Sequence, residues 1–149
     1  MRILNEIEKV DPVYFILYLN CGAAVILYEN IKCYIKNYNA KFTSLLFLEG
    51  NYFKNNYFVI DKWYLTHLLF YGMMGYLYPD ILHLSMTMGF LWEAFEFYLG
   101  YYKPKWFFNC YNTKHNSSGC WYGRVSDIFV NYIGFITGSN LKSLILRYI

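Results

Sequence analysis

The sequence predicts an all-α fold: a polytopic helical membrane protein of about four transmembrane helices with a central hairpin. Three observations predict it. Charged residues make up only 15 % of the chain and apolar residues 57 %, against roughly 25 % charged in an ordinary soluble domain. Long stretches at 12–28 and 63–78 carry no carboxylate, lysine or arginine, and those at 81–102 and 127–146 carry few. These stretches are apolar nearly all round rather than along one stripe, which suits lipid better than a soluble core. The mean hydropathy of +0.19 is low for such a chain. Its 18 tyrosines explain much of that, because tyrosine lowers the index yet sits well at a bilayer interface. A soluble all-α protein with buried aromatic helices is the alternative.

The elements follow in order. MRILNEIEKVDP carries acidic residues and no cleavage pattern, so the first apolar run is read as a retained span. That run, residues 12–28, starts at Pro12, a residue suited to a first helical turn. Residues 29–62 are rich in Lys and Asn and read as a loop, with an interfacial helix at TSLLFL. Residues 63–78 and 81–102 flank the turn at Pro79-Asp80 and form the antiparallel hairpin. Residues 103–126 are polar, and 127–146 give the last span. The whole chain, 1–149, is taken as a single membrane domain.

Charge gives an orientation. Lys32, Lys36, Lys41, Lys54, Lys62, Lys103, Lys105, Lys114 and Arg124 fall in the two long segments, leaving Arg2, Lys9, Lys142 and Arg147 elsewhere. Positive-inside therefore places both long loops in the cytoplasm. The sequon Asn116-Ser117-Ser118 points the other way, since it is used only in a lumenal loop. The net charge of +3 is scattered without a basic run, which argues against a nucleic-acid partner. Cys21, Cys33, Cys110 and Cys120 form no CxxC pair, so the usual cysteine zinc motifs are missing. Cys110 and Cys120 would bridge a loop facing an oxidising compartment. The motifs of CDP-alcohol phosphotransferases, of the common lipid phosphatases, of nucleophile-elbow hydrolases and of P-loops are missing as well.

Inside the spans stand His67, Glu93, Glu96, Asp127 and Asn131. Ionisable groups at membrane depth cost a few kcal/mol each and usually face a bundle interior or a wet cavity. Glu93 and Glu96 are i,i+3, and Asp127 and Asn131 are i,i+4, so each pair shares a helix face. His67 lies about twelve residues before the turn and Glu93 about thirteen after it, so antiparallel packing brings them to one depth. Carboxylates meeting there repel unless protons or a cation intervene. With Glu93, Glu96 and Asp127 as oxygen ligands the ion is Ca²⁺ or Mg²⁺. His67 is then a general base, Asn131 orients a ligand, and Arg124 holds a phosphate oxygen. Duller roles stand beside these. The two glutamates could be interfacial, Asp127 the N-cap of its helix, Asn131 a bond between helices, and His67 a satisfied core histidine. Gly134 and Gly138 form a GxxxG pair, read as close packing. His83 is read as interfacial.

Three stretches carry a resemblance: DKWYLTH at Asp61 to His67, WEAFE at Trp92 to Glu96, and DIFVNYIGFITG at Asp127 to Gly138. Over residues 61–140 the chain resembles the VanZ-like group of small membrane proteins, the Asp-x3-Asn-x2-Gly-x3-Gly run being the most distinctive part. The order is also similar to the core of base-exchange phosphatidylserine synthases, with Cys120-Trp121-Tyr122 in the intervening loop. That likeness implies calcium-dependent exchange of a phospholipid headgroup, with His67, Glu93, Glu96, Asp127 and Asn131 at the centre and Trp121 and Arg124 near the substrate. Gly119 stands where that family has an acid, and the Asp-to-Asn spacing is one residue shorter. The functional expectation is an intramembrane acidic and histidine pocket for a divalent cation and a phospholipid headgroup, with membrane lipids as partners. The alternatives are a non-enzymatic protein whose polar set is a helix-packing network or lipid pocket, and an ion or proton path.

Overall fold

The structure is a computed structural model and describes residues 2–38, 51–54, 59–102 and 124–149. These form α1 (Arg2–Ile7), α2 (Pro12–Tyr38), β1 (Asn51–Lys54), β2 (Val59–Asp61), α3 (Lys62–Leu77), α4 (Leu82–Tyr102) and α5 (Val125–Tyr148). The all-helical class holds apart from the small antiparallel pair β1–β2, whose register is irregular between Asn51 and Phe53. That pair corrects the reading of residues 29–62 as a loop. Tyr52, Phe53, Val59 and Ile60 are strand-forming residues that the lysines and asparagines around them obscure. The same reading ended the first helix ten residues early, so Lys32 and Lys36 lie on α2 rather than in a loop. The TSLLFL segment, Cys110, Cys120, the sequon and Trp121 lie outside the described residues.

Asp11 starts α2: its carboxylate accepts the Tyr14 backbone N–H at 3.3 Å, with Pro12 in the first turn. Among the described helices, only this one is long and apolar enough to cross a membrane, over Pro12–Ile31. Helix α3 has 16 residues, about 24 Å of rise, short of a hydrocarbon core of roughly 30 Å. Helices α4 and α5 are long enough, but carboxylates, Asn131 and tyrosines lower their apolarity.

The chain gathers into two compact units. One comprises α2 and the end of α4 from Phe95. In it Tyr14 is fully buried and packs its ring on Phe15 and Tyr18. Phe97 stacks on Tyr101, and Tyr98 packs on Tyr102, all four exposed.

The other unit holds α1, β1–β2, α3, α4 through Ala94, and α5. Its closest helix pair is α3 with α5, and glycines set the approach. A Cβ on Gly138 would fall on the Gly72 backbone carbonyl, and one on Gly75 would fall on the Phe135 carbonyl. This is the small-residue packing that the Gly134/Gly138 spacing announced. The α3–α4 hairpin exists, with a turn at 79–80, but its arms stand further apart than α3 and α5. Tyr71 bridges them, its hydroxyl reaching the space above Gly89.

Within this unit polar residues share the interior with an apolar core of Met74, Ile81, Leu84 and Phe135. Buried positions include Glu6, Ser85, Glu93, Asp127 and Asn131, while Leu69, Phe90 and Phe129 are 63 %, 59 % and 67 % exposed. On α5 the buried face is Asp127, Asn131, Gly134, Phe135 and Gly138. On α4 Ser85, Gly89 and Glu93 form a matching buried stripe at four-residue spacing.

Candidate functional site

On α3, Tyr64, His67 and Tyr71 follow one another at helical spacing and face inward, with both tyrosines buried. His67 Nδ1 lies 2.8 Å from Asn131 Oδ1 on α5. An amide oxygen only accepts, so Nδ1 carries the hydrogen and donates it. His67 Nδ1 lies 4.0 Å from Glu93 Oε1, and Nε2 lies 3.9 Å from Asp127 Oδ2. One ligand atom from each of His67, Glu93 and Asp127 lies within 4.8 Å of the other two.

Glu93 is 5 % exposed. Its Oε2 accepts the Arg124 backbone N–H at 2.9 Å, and its Oε1 is buried with no hydrogen-bond partner. A buried carboxylate oxygen left without a donor is costly, so this atom marks a place for a cation or a proton. Asp127 stands in the first turn of α5, where the positive end of the helix dipole favours an anion. Its Oδ1 accepts a 3.4 Å bond from Ser126 Oγ, which in turn accepts from the Tyr64 hydroxyl at 2.6 Å. The N-cap of α5 is Arg124 with extended backbone, which corrects the reading of Asp127 as that cap. The mixed stretch Arg124-Val125-Ser126-Asp127 does not reveal by itself where the helix begins.

Four sequence-predicted residues are therefore brought together: His67, Glu93, Asp127 and Asn131. The depth match counted outward from Pro79 is realised. Glu96 is half-buried one turn beyond Glu93 and is not one of the three residues that converge. Arg124 meets Glu93 through its backbone N–H. Sequence reasoning passed over Tyr64 and Ser126, although Tyr64 precedes His67 by one helical turn and Ser126 adjoins Asp127. It also passed over Glu6, whose buried carboxylate accepts the Leu84 backbone N–H at 2.6 Å and pairs with His83 Nδ1 at 2.8 Å. Glu6 thus caps the start of α4 from another helix, and His83 has a defined partner.

The donor set, one imidazole and two carboxylates with one oxygen unsatisfied, fits a divalent cation held by three protein ligands with positions left over for a further ligand. Comparison with protein families, with curated proteins and with solved structures gives no match for this chain.

Proposed function

We propose that this chain is a multi-pass membrane protein that holds a divalent cation among His67, Glu93 and Asp127 and thereby docks the phosphate of a phospholipid headgroup. The observation that carries the reading is the buried, unpartnered Glu93 Oε1 beside His67 and Asp127. The cation supplies charge neutralisation and an anchor for an anionic oxygen. Glu93 and Asp127 are set for it by the Arg124 N–H and by Ser126, and Asn131 fixes the imidazole. The membrane part is supported by exposed leucines and phenylalanines beside buried acids, by glycine-mediated helix packing and by the apolar helix Pro12–Ile31. The positive-inside count keeps the long loops cytoplasmic. The resemblance to base-exchange synthases supports a headgroup ligand, and headgroup exchange or transfer is the reaction class it suggests.

A second reading is favoured by the His67–Asn131 bond, which joins α3 to α5 directly: the polar set is a packing network without a ligand. Binding of short-chain phospholipids to the purified protein in detergent, with and without divalent cations, separates the two. The first reading expects saturable binding that needs the cation and is lost in Glu93→Gln/Asp127→Asn. Cation-independent binding, or none to a folded protein, contradicts it.

A further inference from the structure

Resting on the cation pocket proposed above, we infer that the site selects a borderline transition ion of the Mn²⁺, Fe²⁺ or Zn²⁺ class over Ca²⁺ and Mg²⁺, with His67 Nε2 as its nitrogen ligand and Asn131 as the residue that positions it. The sequence had pointed to a hard-oxygen site of Glu93, Glu96 and Asp127. The geometry replaces Glu96 with an imidazole. Calcium takes six to eight oxygens, and magnesium binds through oxygen and water. Imidazole with carboxylates suits Mn²⁺, Fe²⁺ and Zn²⁺ better.

Each of the three side chains has one atom engaged by a residue outside the set. Asn131 Oδ1 takes the hydrogen on His67 Nδ1. Arg124 N–H occupies Glu93 Oε2. Ser126 donates to Asp127 Oδ1. In a neutral imidazole whose Nδ1 carries the hydrogen, Nε2 holds a lone pair. Nε2 lies 3.9 Å from Asp127 Oδ2. Glu93 Oε1, buried and without a hydrogen-bond partner, lies 4.0 Å from the other ring nitrogen, Nδ1. Asn131 is 1 % exposed, and its Nδ2 crowds the Cβ position of Gly89 beside the Tyr71 hydroxyl. The amide is therefore closely packed, and it plays the part that outer hydrogen bonds play for metal-ligating histidines.

The test uses Mn²⁺ alone with the full chain purified in detergent. Calorimetry compares Mn²⁺ with Mg²⁺ and Ca²⁺, and pulsed electron paramagnetic resonance of bound Mn²⁺ reads coupling to ¹⁴N. We expect Mn²⁺ to bind about tenfold or more tightly than the two hard ions, with ¹⁴N coupling in the native protein. His67→Gln should remove that coupling. Asn131→Leu should weaken or remove it, and Asn131→Asp, which keeps an oxygen acceptor for Nδ1, should restore it. Should a variant fail to fold by circular dichroism, the native spectrum alone decides. Mn²⁺ binding without ¹⁴N coupling, or Ca²⁺ binding as tightly as Mn²⁺, overturns the inference and leaves the cation pocket standing. No binding of any of the three ions to the folded protein overturns both.

Discussion

Glu93 is held by one oxygen and has no hydrogen-bond partner at the other, and that asymmetry is what the proposed cation site rests on. Glu93→Gln keeps an acceptor for the Arg124 N–H and removes a buried ionisable group. We therefore expect little loss of thermal stability together with loss of cation binding, measured by thermal shift and titration on one preparation. Ser126 and Tyr64 act one step back. Ser126→Ala or Tyr64→Phe should weaken cation affinity about tenfold and lower stability by about 1 kcal/mol, read by titration and by unfolding in detergent. Metal ligands must be deprotonated to bind, so protons compete with the ion and affinity should fall as pH falls. A titration at about pH 5 should give weaker binding than one at about pH 7.5. His67, Glu93 and Asp127 were legible in the sequence because charge inside apolar runs is costly and therefore conspicuous. Tyr64, Ser126 and Glu6 were not. Tyrosine is everywhere in this chain, serine is inexpensive to place, and Glu6 acts on a backbone N–H seventy-eight residues away.

Helices α3 and α5 meet through glycine, and the cost of filling that seam differs along it. A Cβ on Gly138 or Gly75 would overlap backbone of the facing helix, whereas one on Gly72 would stop at ordinary contact, 3.5 Å from Gly134 O. Gly138→Ala and Gly75→Ala should each destabilise by roughly 1–3 kcal/mol, and Gly72→Ala should be nearly neutral, as read from detergent unfolding midpoints. The start of α4 depends on Glu6. Glu6→Ala leaves the Leu84 N–H without its acceptor and should cost about 1–3 kcal/mol in the same measurement. Helix positions were readable from apolar runs and from Pro12 and Pro79. The last ten residues of α2 and the β1–β2 pair were hidden by lysine and asparagine, which signal a loop by composition while the local backbone does otherwise. The preference of α3 for α5 over its sequence neighbour α4 was half-announced by Gly134 and Gly138. Its other half, the glycines of α3, acquires meaning only from the facing helix.

For the whole molecule, the buried acids and the exposed leucines and phenylalanines support the proposal that the chain lies in a membrane. The sequence carries the membrane reading in its composition, and in the fold the apolar helix Pro12–Ile31 bears on it. The number of crossings was less legible: among the described helices one meets the demands of length and apolarity, and α3 to α5 carry polar residues that lower their apolarity. The chain should remain in the membrane pellet through alkaline carbonate extraction. The proposed orientation, with the long loops cytoplasmic, expects Asn116 to stay unglycosylated in microsomes, and a glycosylated product would reverse it. The central claim is that the polar interior holds a cation. The most direct measurement is calorimetric titration of divalent cations into the purified protein in detergent, beside Glu93→Gln/Asp127→Asn. The account predicts saturable binding near one ion per chain, abolished in a double variant that remains folded. A folded native protein that binds none, or a double variant that binds as well, would contradict it.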